Sequence, residues 1–148
     1  MPDDTTSRAA RWGGPALIAA AAAAMLCSTW GTWPDVLVDF GRELYVPWQI
    51  VEGKALYRDI VHLRGPLSSY ANAAAFALFG TSLRTMVACN LVLLAALAAM
   101  LYRLLVEIGG RLAATLACLT FVGLFAFGQL TVYGNYNFVC PYAVEMTH

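Results

Sequence analysis

The residues equipped to do chemistry lie close together in the chain. Between positions 34 and 64 stand Asp35, Asp39, Glu43, Glu52 and Asp59, five of the chain's nine acids, with Arg42, Lys54, Arg58 and Arg64 among them. Asp39 and Glu43 are four residues apart. On a helix they share one face, about 6 Å from each other. Two carboxylates at that spacing raise one pKa, and a guanidinium such as that of Arg42 lowers it again. A carboxylate tuned in this way at a membrane surface can serve as general base toward a hydroxyl acceptor. The competing use of Asp39 is as N-cap of the helix that follows, and that of Asp35 and Glu43 is as solvated charges. Spacing alone leaves both uses open.

These residues need elements to hold them. Phe40, Leu44, Trp48 and Val51 recur at helical spacing, and Gly53 supplies a stop. Pro47 interrupts the run, so this helix is expected to kink or to start late. Its aromatic stripe is expected to pack it under the membrane-facing part of the chain. A second short helix is expected from Pro66, which suits a first turn, to Gly80, which suits a C-cap. It is roughly 20 Å long at about 1.5 Å per residue, short of the roughly 30 Å hydrocarbon core. Ser68, Ser69 and Asn72 lower its apolarity. The expectation is a helix in the outer interface, with Phe76 and Phe79 toward lipid or the next span.

The rest of the chain is apolar. Hydrophobic residues make up 60% of its 148 residues and charged ones 12%, against roughly 45–50% and 25% in soluble domains. Mean hydropathy is +0.64. Nine basic and nine acidic residues cancel, which excludes a nucleic-acid binder working through a basic face. A disordered tail is excluded too, being charge-rich and apolar-poor. The fold class is an all-α integral membrane protein with about three transmembrane helices plus an external charged loop.

The spans follow from the charge gaps. Residues 1–12 form a cytoplasmic N-terminus, 13–33 a first transmembrane helix and 34–83 an external loop with juxtamembrane helices. Residues 84–103 form a second span, 104–111 a cytoplasmic turn at Gly109-Gly110, 112–132 a third span and 133–148 an external segment. Arg8, Arg11, Arg103 and Arg111 then fall inside, as positive charge prefers. Trp30 and Trp33 end the first span as interfacial anchors; a cleaved signal peptide is the other reading of this segment. The expected location is the plasma (inner) membrane, multi-pass, with the charged loop on the external, periplasmic face. Cys27, Cys89, Cys118 and Cys140 form no CxxC pair and read as small apolar residues. Asn90 and Gln129 are amides within the spans, a type that joins helices.

The order of motifs resembles a known family. After the first span come Asp39, Tyr45, Glu52-Gly53, Leu56-Tyr57-Arg58-Asp59, Gly65-Pro66-Leu67, a Ser-Tyr-Ala helix and Leu78-Phe79-Gly80. Over roughly residues 30–85 this resembles the N-terminal part of the polyprenyl-phosphate-sugar-dependent membrane glycosyltransferases. That superfamily includes protein O-mannosyltransferases and the aminoarabinose transferase of lipid A. The stretch DFGRELYVPWQ is most similar to the bacterial branch.

The resemblance implies sugar transfer from a polyprenyl-phosphate donor to a hydroxyl on a cell-envelope glycan, lipid or protein, with inversion. Asp39 matches the family's base, with Glu43 as second acid. In many members a second acid follows the first directly; here Phe40 stands there and Glu43 comes three later. Arg42, Arg58 and Arg64 are candidates for the donor phosphate, which arginine meets bidentately; loop salt bridges and lipid headgroups are their other uses. Tyr45 joins them as a substrate-binding candidate. His62, Glu145 and His148 are weaker candidates for the same cavity.

Family members have many more spans, so the chain is expected to be the N-terminal fragment of a longer protein. No metal site is expected from the residues, since Asp39 and Glu43 are too few ligands for an all-protein Ca²⁺ site; whether a divalent metal takes part stays open. The alternatives are a non-catalytic membrane subunit or scaffold, and a carrier of lipid-linked sugars. The carrier reading is weakened by the lack of charged groups within the spans.

Overall fold

The computed structural model describes residues 4–32, 40–128, 137–141 and 143–147. Among them the structure is helical, with no strand beyond an isolated bridge between Leu56 and Ile60. The helices are α1 (Asp4–Thr29), α2 (Phe40–Val51), α3 (Pro66–Phe79) and α4 (Leu83–Thr120), which runs on into a π-helical turn (Phe121–Ala126). A single 3₁₀ turn (Val144–Met146) lies near the end.

Two stretches are long and apolar enough to cross a bilayer, Trp12–Thr29 and Leu83–Ala126. The second is not one straight rod. Gly110 sits inside it at φ 79°, ψ 176°, a conformation essentially confined to glycine. Beyond it the chain doubles back: the Cys118 thiol lies 3.8 Å from the Ala98 carbonyl. In a straight helix those two residues are roughly 30 Å apart at about 1.5 Å per residue. Residues 83–109 and 111–126 therefore form an antiparallel hairpin, turning where Gly109-Gly110 was expected to turn it.

Helix α1 lies against this hairpin. The two come close at Gly14, where a Cβ would stand 2.9 Å from the Tyr102 hydroxyl and collide with Thr115 Oγ1. Ile18, Leu94, Cys118, Val122 and Phe127 share the core between them, joined by Phe40 of α2 and Phe76 of α3.

The short helices α2 and α3 pack on each other, and each buries polar residues alongside apolar ones. In α2 the buried residues include Glu43 and Gln49, while Tyr45, Trp48 and Val51 face outward. The expected stripe of Phe40, Leu44, Trp48 and Val51 is thus only half right: Phe40 is fully buried, but Trp48 and Val51 are exposed. Pro47 does not delay the helix, which already starts at Phe40.

In α3 the buried face is Ser68, Ser69, Asn72, Ala73 and Phe76. Leu67, Tyr70, Leu78 and Phe79 are exposed. Phe76 therefore belongs to the core and only Phe79 faces out. Between the helices His62 is buried and its neighbours Val61 and Leu63 are almost fully exposed, while Leu56 and Ile60 are buried with Val46. Outward apolar and inward polar is the arrangement a lipid environment selects, because polar groups in hydrocarbon must find partners inside the protein.

Candidate functional site

The inward polar groups meet in one cluster. Glu43 is 4% exposed, yet two guanidiniums reach it. Arg42 donates to Glu43 Oε1 at 3.0 Å and Arg64 donates to the same oxygen at 2.8 Å. Arg64 also donates to Glu145 Oε2 at 3.0 Å. One arginine thus bridges two carboxylates 102 positions apart in the sequence, Glu43 and Glu145.

Local structure explains how each group arrives. Glu43 is placed by the first turn of α2. Arg64 ends the segment that leads into α3, where Gly65 is the cap and Pro66 the first helical residue. The preceding turn is closed by Asp59: its backbone N–H donates to Ala55 O at 2.9 Å, and its carboxylate accepts from the Ala55 N–H at 2.9 Å. Tyr57, at φ 68°, donates its hydroxyl to the Arg64 carbonyl.

Glu145 arrives from the other end of the chain, along a path held by two amides. Asn90 on α4 donates to the Val139 carbonyl at 2.9 Å. Asn137 accepts from the N–H groups of Val139 and Cys140 at 2.9 and 2.7 Å. Asn90 therefore does join segments, as an amide within a span was expected to, but it joins a helix to the returning chain.

The electrostatics of Glu43 are a contest. Desolvation is the largest effect and raises its pKa; the hydrogen bond from Arg42 lowers it, the charge of Glu145 raises it, and the charges of Arg42 and Arg64 lower it. The result stands above the ordinary glutamate value. A carboxyl with a raised pKa holds its proton to higher pH than an ordinary glutamate does.

His62 and Ser69 adjoin this group. His62 Nε2 lies 3.5 Å from Glu145 Oε1 and 3.5 Å from Ser69 Oγ. This is not a nucleophile relay. In such a relay the acid and the hydroxyl hold different ring nitrogens, and here both approach the same one. Asn72, one turn beyond Ser68, is 3% exposed with its amide nitrogen unpartnered.

The other candidates separate. Arg58 is held by its neighbour Asp59 at 2.7 Å in an exposed turn. That pairing, with the Ala55 N–H, pulls the Asp59 pKa down to about 2. Tyr45 stands on the far side of α2 from Glu43, its ring edge-on to Trp48 at 6.1 Å. Together they line a separate shallow groove with Phe76, Ser82 and Leu83. Asp39, the residue before α2 in sequence, lies outside the described residues, as do Asp35 and His148. Among the described residues no group of three or more His, Cys, Asp or Glu is placed to hold a metal ion.

Sequence reasoning paired Asp39 with Glu43, set Arg42 beside them and offered Arg64 and Glu145 separately. It did not see that one arginine joins the two acids. Ser69 and Asn72 were read as polar dilution of an interfacial helix. Their spacing with Ser68 over one helical face was the signal that they point together. No family model, no curated protein and no solved structure matches the chain.

Proposed function

We propose that the chain is the N-terminal part of a membrane glycosyltransferase, in which α1 and the two arms of the hairpin are three spans and residues 34–83 form the catalytic loop on the outer face. The acceptor hydroxyl attacks the anomeric carbon of a polyprenyl-phosphate-linked sugar from the side opposite the phosphate. The C–O bond to phosphate breaks, the centre inverts and polyprenyl phosphate leaves. Asp39 takes the hydroxyl proton. Arg42 meets the leaving phosphate: it is the half-exposed arginine of the cluster, with side-chain exposure of 47%.

The observation that supports this reading most is the buried Glu43 carboxylate, held above its normal pKa beside Arg42 and Arg64 in the segment next to Asp39. The test is transfer from a polyprenyl-phosphate sugar by the full protein that carries this segment. Asp39→Asn keeps capping ability and removes the base, so transfer is expected to fall by about 10²–10⁴-fold with membrane insertion intact. Near wild-type transfer by that variant refutes the assignment.

A non-catalytic membrane subunit is the second reading. It is favoured by the bridging of Glu43 and Glu145 through Arg64, which ties the loop to the C-terminal segment as a structural latch does. Under that reading Asp39→Asn has no effect on any transfer, while Arg64 substitution loosens the assembly.

A further inference from the structure

A large groove runs between α1 and the hairpin. Its volume is about 980 Å³. The floor is made of small and aliphatic side chains, Ile18, Ala19 and Ala22 of α1 against Leu94, Ala95 and Ala98 of α4. From Trp12 to Leu26, both on its wall, it extends roughly 21 Å at about 1.5 Å per residue. That exceeds one leaflet of hydrocarbon, about 15 Å.

The groove is not uniform along its length. The end near the hairpin turn is lined by Trp12, Tyr102, Arg103, Glu107 and Arg111, and the opposite end by Leu26, Leu91 and Phe127. Arg103 and Arg111 make no ion pair among the described residues, although Glu107 stands between them in sequence. Two guanidiniums face one carboxylate, so the polar mouth carries excess positive charge. A cationic mouth with aromatic rings beside it and a wholly apolar trough beyond matches one kind of molecule, an acyl chain with an anionic phosphate head. An apolar helix seated in the trough fills the Ala-lined floor but leaves both arginines unanswered, whereas one phosphodiester engages guanidiniums directly.

We propose that this groove is a binding site for an anionic phospholipid, with its phosphate on Arg103 and Arg111 and an acyl chain along the floor between α1 and α4. Basic pockets between spans are suited to such headgroups. The site stands apart from the sugar-transfer reading and does not depend on it.

Trp12 supplies the probe, since it lines the mouth. In a chain with Trp30, Trp33 and Trp48 replaced by phenylalanine, Trp12 fluorescence is recorded in phosphatidylcholine vesicles. These contain increasing mole fractions of brominated phosphatidylglycerol or, separately, of brominated phosphatidylcholine with the same acyl chains. Half-maximal quenching is expected at a mole fraction on the order of ten-fold lower for the anionic lipid, the scale of preference that two arginines give beside an anionic headgroup. Arg103→Gln with Arg111→Gln is expected to erase the difference while leaving the helical circular dichroism unchanged. Equal quenching by both lipids in the parent chain overturns the proposal and makes the groove an ordinary lipid-facing surface. Absence of quenching by either also overturns it and points to a protein segment, from this chain or a second copy, seated in the groove.

Discussion

Replacing Arg64 by methionine tests how the polar cluster is balanced. The change keeps most of the aliphatic stem and removes the guanidinium. Glu43 then retains only Arg42, whose side chain is 47% exposed, and Glu145 retains His62 Nε2 at 3.5 Å. Breaking a buried pair by removing one partner costs about 3–5 kcal/mol. The Arg64 side chain is 24% exposed and that of Glu145 19%, so water screens part of this, and about 2–3 kcal/mol is expected at pH 7.

The cost must depend on pH. Arg64 lowers the Glu43 pKa, so its loss drives that pKa still higher. A carboxyl whose folded pKa lies above its unfolded value stabilises the fold while protonated, and that contribution is lost as pH rises through the folded pKa. The Arg64→Met penalty is therefore expected to shrink as the pH is lowered from 7, because protonation of Glu43 removes the charge that needs a partner. Glu43→Gln in the Arg64→Met background is expected to recover most of the loss at pH 7. Reversible unfolding in mixed micelles of mild detergent and dodecyl sulfate, followed by circular dichroism, reads the free energies. A penalty that stays constant from pH 7 to pH 5, or that Glu43→Gln fails to relieve, refutes the charge balance described above.

Other substitutions probe the frame around the cluster. Gly110→Ala is expected to cost about 1–3 kcal/mol in the same unfolding assay, because φ 79° with ψ 176° is strained for any residue with a Cβ; Gly109→Ala, in regular helix, is expected to cost less. Asn137→Ala leaves the N–H groups of Val139 and Cys140 without their acceptor and is expected to cost about 1–3 kcal/mol. It is also expected to weaken the Arg64–Glu145 pairing, visible as faster amide exchange in residues 61–65. Single cysteines at Glu52 and Gly110 in a cysteine-free chain are expected to react with an impermeant thiol reagent from opposite faces of the membrane; labelling from one face rejects the three-span arrangement.

The hairpin was legible because its signals are local. An uncharged run, a Gly-Gly pair and a second uncharged run leave one economical solution, and Gly110 takes the conformation that only glycine takes easily. The two short helices were legible in extent, since Pro66 and Gly80 mark the ends of α3. Their rotation was not. The stripe of Phe40, Leu44, Trp48 and Val51 was read with the rule for a helix on a soluble core, which puts the apolar side inward. Here the buried sides of α2 and α3 carry polar as well as apolar residues, so the apolar stripe alone does not set the rotation. Glu43, Gln49 and Ser69 are buried and find their partners in Arg42 and Arg64, Lys54 and His62.

The burial of Glu43 explains why the acidic cluster takes the form it does. Once Glu43 is buried it needs a cation, and Arg42 on the same helix reaches its Oε1 only from a half-exposed position. The second guanidinium comes from Arg64, at the entry to the helix packed against α2. Arg64 in turn has reach to spare and takes Glu145. The position of Glu145 depends on Asn90 holding residues 137–140 against the hairpin, a contact between side chain and backbone 49 positions apart. No periodicity in the sequence encodes such a contact, because it is set by where α4 ends and how the chain returns. The ionisable groups that local pattern offers singly become one coupled unit only through that return. For this reason the charge state of Glu43 reports on the seating of the C-terminal segment as much as on its own helix, and a change at Asn90 or Asn137 is felt at Glu43 without touching it.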